Sequence, residues 1–129
     1  MASWLVVLGF VLSGLSAGRT VVTSTSIEIY VPLQFAPGSD RLPAGADKTL
    51  AAMAATIDGN PSLLVIAVEA QVVPGDGDNT FARELLGLRR ANAVRDRLVA
   101  MGVAPSRLVA ETSDGSKPVI EFVILERAN

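Results

Sequence analysis

Leu85-Leu86-Gly87-Leu88-Arg89-Arg90-Ala91-Asn92-Ala93-Val94 decides how this chain is read. Leu98 and the pair Gly102-Val103 follow it. Phe81, Leu85, Leu88, Ala91, Val94, Leu98 and Met101 recur at steps of three and four, which is the period of one helix face. The spacing predicts a helix from about Thr80 to Met101 with that stripe turned to a core. Arg83, Arg89, Arg90, Arg95 and Arg97 fall largely off the stripe, so they read as a solvated face. Asp78 or Asn79 is a natural N-cap, and Gly102 is a stop signal.

Upstream, Leu50, Met53, Ala54 and Ile57 predict an earlier helix over Ala44 to Ile57, favoured by its many alanines. Gly59 is expected as a left-handed cap, and Pro61 ends the helix. Leu63-Leu64-Val65-Ile66-Ala67-Val68 is continuously apolar and reads as a central strand, with Glu69 beyond it. Thr20 to Thr25 is compatible with extended chain. Ile27 through Phe35 predicts a first strand, with Pro32 marking an edge or a bulge. Arg107-Leu108-Val109-Ala110 and Val119 to Leu125 predict two more strands, free either to pair as a hairpin or to diverge. The order is βαβαββ. The expected class is α/β, as an α+β sandwich with two helices packed on a mixed four-stranded sheet.

This order and its local sequence resemble the OmpA-like domain, a module that associates with peptidoglycan, over about Ile27 to Ile124. The residues that carry the resemblance are Phe35, Gly38-Ser39 and Leu42, then Asn60-Pro61, then Val68-Glu69. They continue with Leu86-Gly87, Arg90-Ala91, Val94, Gly102-Val103 and Arg107-Leu108. The resemblance implies a ligand site in which an Asp meets the ammonium of diaminopimelate in the wall's stem peptide. An Arg meets its carboxylate. The Arg is matched here by Arg90. After Val-Glu the family normally has Gly-His-Thr-Asp, and this chain has Ala70-Gln71-Val72-Val73. Val73 therefore stands in place of the family Asp and cannot pair with an ammonium. Arg83 stands where the family has an Asn.

Asp76 and Asp78, in the loop before the second helix, are the candidates to replace the missing anion. With Arg90 they form the expected ligand-binding set. Each has a plainer reading. Arg90 can pair with Glu84, Asp96 or a loop carboxylate, and Asp76 and Asp78 can serve turn and cap chemistry. A calcium loop starting at Asp76 fails, because its sixth and twelfth places hold Phe81 and Gly87. Ser39 and Asp40 fit a turn better than a catalytic pair.

Composition narrows the function classes. The 129 residues carry a formal net charge of -2 and contain 0 His and 0 Cys. A Ser-His-Asp or Cys-His site, a disulfide and a thiolate metal site cannot be written with them. The acidic balance also argues against a nucleic-acid partner. Trp4 to Leu12 is an apolar run followed by the small residues Ser13 to Gly18. The layout predicts a signal peptide over residues 1–18 and the domain over 19–129; the run is shorter than the about 20 residues of a membrane span.

The reading is thus a non-catalytic domain without cofactor or metal, on the periplasmic side of the outer membrane or at the cell wall. Its expected partner is peptidoglycan, engaged through Arg90. The alternative is a domain that has lost this ligand and contacts other envelope proteins.

Overall fold

The computed structural model describes residues 19–129; the signal-peptide reading of residues 1–18 lies outside them. Five strands and two helices follow in the order β1 (Thr20–Val22), β2 (Ser26–Ile29), α1 (Ala46–Asp58), β3 (Leu63–Val72), α2 (Thr80–Ala100), β4 (Leu108–Asp114) and β5 (Ile120–Arg127). The strands form one sheet in the order β1-β2-β5-β3-β4. β3 pairs parallel with β4 and antiparallel with β5. The parallel pair needs a crossover, and α2 supplies it. The sheet is mixed, as expected, but has five strands where the sequence predicts four. The additional strand is β1, which turns back onto β2 as a hairpin with Val22 opposite Ile27.

β3 is central and runs four residues beyond the expected Val68. Ile66, Val68, Ala70 and Val72 all have 2% exposure or less, so alternate residues face the helices throughout. Ile27, Ile120 and Phe122 join them from β2 and β5. Onto this face α1 turns Leu50, Met53 and Ile57, all 0% exposed. Among the described residues no helix is long and apolar enough to cross a membrane.

The single strand expected from Ile27 to Phe35 is interrupted. β2 pairs with β5 only through Ser26 and Ile27, and the chain rejoins β5 near an isolated bridge between Gln34 and Val119. Pro32 has no N–H to give to a ladder. The Ile120 N–H accordingly reaches past the excursion to the Leu33 carbonyl. β4 and β5 diverge rather than pair, because both edges of β3 are filled, one by each of them.

Two helix details also differ from expectation. Gly59 caps α1 at φ -75°, a right-handed conformation, so no left-handed glycine is required there. In α2 the predicted stripe is right from Ala91 onward and rotated before it. Phe81, Leu85 and Leu88 are exposed by 74%, 43% and 39%. The buried face is Leu86, Gly87, Arg90, Ala91, Val94 and Leu98. Both sets have helical spacing, so periodicity alone could not separate them. The approach of Gly87 to the sheet and the burial of Arg90 do. The N-cap is Asn79, whose Oδ1 accepts from the Ala82 N–H at 2.8 Å.

Candidate functional site

β3 ends at Val72, and a short 3-10 turn, Pro74–Asp76, carries the chain toward α2. This turn puts Asp76 beneath the first buried turns of the helix. Opposite it the chain from Phe35 folds tightly, with Ser39 N–H donating to the Ala36 carbonyl. Gly38 takes φ 67° in this turn, the left-handed region that glycine enters without steric cost.

Arg90 lies between these pieces with 0% exposure. Its guanidinium donates to both Asp76 oxygens, from Nη1 to Oδ2 at 2.9 Å and from Nη2 to Oδ1 at 2.8 Å. Nε donates to the Ser39 carbonyl at 2.7 Å, and Nη2 also to the Ala36 carbonyl at 3.1 Å. Beneath the guanidinium lies the Phe35 ring, its centroid 5.0 Å away. The Asp76 carboxylate accepts two further bonds, from the Gly38 N–H at 3.3 Å and the Val73 N–H at 3.0 Å. Both side chains of the ion pair are 0% exposed. Burial pushes the Asp76 carboxyl pKa up, but the Arg90 hydrogen bonds and the two backbone N–H groups outweigh it. The net shift is downward from the ordinary value.

The two outermost members of the expected set, Arg90 and Asp76, are therefore brought together, and each occupies the other. This corrects the expectation that Arg90 stands on a solvated face. Of the plainer pairings, the loop carboxylate is realised and Glu84 and Asp96 are not. Asp78 is exposed and has no ion pair among the described residues. Val73 is half-buried and contributes backbone only, as a donor to Asp76.

The other arginines also reach specific partners. Arg83 donates to the Gly77 carbonyl at 3.2 Å. Arg95 donates to the carbonyls of Leu108 and Pro105, both at 3.0 Å. Arg89 pairs with Asp40 at 3.5 Å, each 53% exposed, at the rim of the buried pair. Arg107 holds the carbonyls of Ile57, Asn60 and Leu63, tying the end of α1 to the start of β3. Sequence reasoning missed this carbonyl-binding role. Its only available signal was that an Arg beside a predicted strand end sits near the unsatisfied carbonyls of a helix terminus. No group of three or more acidic side chains among the described residues is placed to hold a metal ion.

The fold agrees with what comparison finds. The family model described as "OmpA family" matches residues 34–121. The chain belongs to the OmpA family. The matched span runs from the Gln34 bridge into β5, so the β1–β2 hairpin lies outside it. Solved structures with this fold include the OmpA-like domain of FopA1 from Francisella tularensis, 17% identical at a TM-score of 0.65. That match covers 89% of this chain and 87% of that one. The periplasmic domain of Helicobacter pylori MotB is 17% identical at a TM-score of 0.68, with 85% and 80% covered. The peptidoglycan-associated lipoprotein from Burkholderia pseudomallei is 18% identical at a TM-score of 0.61, with 71% and 87% covered. Curated proteins give no match. At these identities the likeness concerns the OmpA fold.

Proposed function

We propose that this chain is a non-catalytic module of the bacterial cell envelope that associates with peptidoglycan from the periplasmic side. Family membership supports the reading, and so does a fold shared with a protein described as peptidoglycan-associated. The observation that carries it is the Asp76–Arg90 pair. A zwitterionic amino-acid end, such as that of diaminopimelate, needs one anion and one bidentate cation at fixed separation. Asp76 supplies the anion that Val73 cannot, and Arg90 the cation. Exchange of one internal ion pair for two ligand ion pairs conserves charge. It requires the turn Ala36–Ser39 to release Arg90, since that turn contributes two acceptors to the guanidinium.

A second reading is favoured by the full burial of the pair. In it, Asp76 and Arg90 form a permanent internal clamp, and the exposed rim with Asp40, Asp78 and Arg89 contacts other envelope proteins.

The test is co-sedimentation with isolated diaminopimelate-type peptidoglycan, with free diaminopimelate as competitor and circular dichroism as the check on folding. The native chain is expected to sediment and to be released by competitor. A folded Asp76→Asn variant is expected to bind about one to two decades more weakly, since a charge-assisted hydrogen bond contributes roughly 1.5–3 kcal/mol. A native chain that stays in solution would leave the second reading.

A further inference from the structure

Both helices pack on one face of the sheet, and the opposite face has no covering element among the described residues. Its residues are fixed by the register. Glu69 of β3 stands opposite Glu111 of β4 and opposite Glu121 of β5. Ile27 pairs with Phe122, so one step on, where β2 begins to part from β5, Glu28 faces Glu121. Four carboxylates on four neighbouring strands thus form one line across the sheet. Neighbouring strands are about 4.8 Å apart, which makes the line roughly 14 Å long by that spacing. Like charges directly opposite one another destabilise a sheet.

Among the described residues, neutral groups support the line. Gln71 Nε2 donates to Glu121 at 2.6 Å, and Ser113 Oγ to Glu69 at 3.0 Å. None of the four forms an ion pair among the described residues. The line is not a cation cage either, because no three acidic groups there converge on a metal position. Beside it the same face carries Val109, Ala67 and Val123 in register, with Leu125 beyond. Val109 and Leu125 are 39% and 50% exposed. Where β2 leaves β5, an open groove of ≈ 360 Å³ has Glu28 and Glu121 on its walls with Pro32 and Val119. Such a groove suits a long cationic side chain, whose aliphatic stem can lie on apolar surface beneath a charged tip.

We propose that this face docks a basic amphipathic helix of a partner protein. Charge complementarity names the occupant. The chain's net charge is only -2, so the field here is local. Residues 1–18 contain no Lys or Arg and cannot supply the cations themselves. Spacing selects a helix over an extended segment. Helical neighbours three and four apart lie about 5–6 Å from each other, close to the strand interval. Same-side residues of an extended segment lie about 6.6–6.8 Å apart and fall out of step with the carboxylates. Apolar residues on the flank of such a helix would cover Val109 and Val123. The proposal shares no residue with the loop-end site and does not depend on it.

The experiment uses the full chain and a synthetic helical peptide with Lys at i, i+4, i+7 and i+11 and Leu beside them. Fluorescence anisotropy is measured at low ionic strength against a scrambled peptide. Chemical shifts locate the contact. The double variant Glu69→Gln with Glu121→Gln is expected to weaken binding by about tenfold or more, as for loss of complementary charge at an interface. Glu84→Gln with Asp96→Asn, on α2, is expected to leave it within about twofold by the same argument. Shifts should fall on Val109, Glu111, Val123 and their neighbours. Without peptide, the Glu69/Glu121 variant should melt at a higher temperature, because like-charge repulsion is relieved. Equal loss from both variants, binding as good for the scrambled peptide, or no binding at all overturns the proposal.

Discussion

Arg90 is the residue on which the loop end of the molecule rests. It is a formal charge with 0% exposure, tolerated because four donated bonds and a carboxylate meet it. A buried pair adds little beyond what well-packed apolar residues could give, but removing one partner strands the other. Arg90→Ala is expected to lower unfolding free energy by about 3–5 kcal/mol in urea titrations, the usual cost of leaving one buried charge unpaired. Asp76 adds a pH dependence. Its folded pKa is lowered, so its contribution is complete above the ordinary carboxylate value of about 3.9. It is lost as pH falls from there through the lowered folded value. Urea midpoints measured at falling pH should therefore drop in this range for the native chain, and less for Asp76→Asn. An equal drop in both would place the acid sensitivity elsewhere.

At the scale of the element, α2 shows why a short helical segment can be recognised and still be misoriented. The stripe through Phe81, Leu85 and Leu88 is apolar, yet the helix turns Leu86, Gly87 and Arg90 inward instead. Gly87 makes this possible. A Cβ there would overlap Thr112 Oγ1, stand 2.8 Å from Thr112 Cβ, and lie 3.0 Å from Val72 Cγ1. Glycine ordinarily weakens a helix interior by about 1 kcal/mol relative to alanine; here its missing side chain lets α2 approach β3 and β4. Gly87→Ala is expected to destabilise by about 1–3 kcal/mol, the usual cost of overpacking, despite the better helix propensity. Thr112 Oγ1 donates to the Ala70 carbonyl at 3.0 Å, so the side chain cannot turn aside without losing that bond. Thermal melts of Gly87→Ala alone and with Thr112→Ala check this. A stabilised single variant would mean that propensity outweighs packing at this position.

Over the whole molecule, the sheet grades from a covered centre to thinner edges. β3 is bonded on both sides by β4 and β5 and holds four residues at 0% exposure. β1 has three residues and one neighbour, β2, and β2 itself holds β5 through two register pairs. Local opening follows such differences in burial and bonding. Amide exchange is expected to be slowest in β3 and in α2 around Val94 and Leu98, and fastest in the β1–β2 hairpin. Protection in the hairpin equal to that of β3 would show that the molecule opens only as one unit.

The order of the elements from β2 onward, the crossover through α2, a cap at Asp78 or Asn79 and the central strand were legible in sequence. Period, capping chemistry and continuous apolarity are properties of neighbouring residues, and they act before the chain is packed. Asp76 and Asp78, two residues apart in one polar loop, could not be told apart in this way. Only the packed turn from Ala36 to Ser39 makes the first a buried partner of Arg90 and leaves the second in solvent. The inward half of α2 and the line of glutamates on the open face likewise depend on contacts between residues far apart in the chain. The sequence by itself determined the two helices, the strands β3 to β5 and their order, because those are set by local energetics, whereas the β1–β2 hairpin needed its neighbours. The tertiary structure decided which charges are hidden, which are paired and which are displayed, because those follow from the distances that packing alone creates.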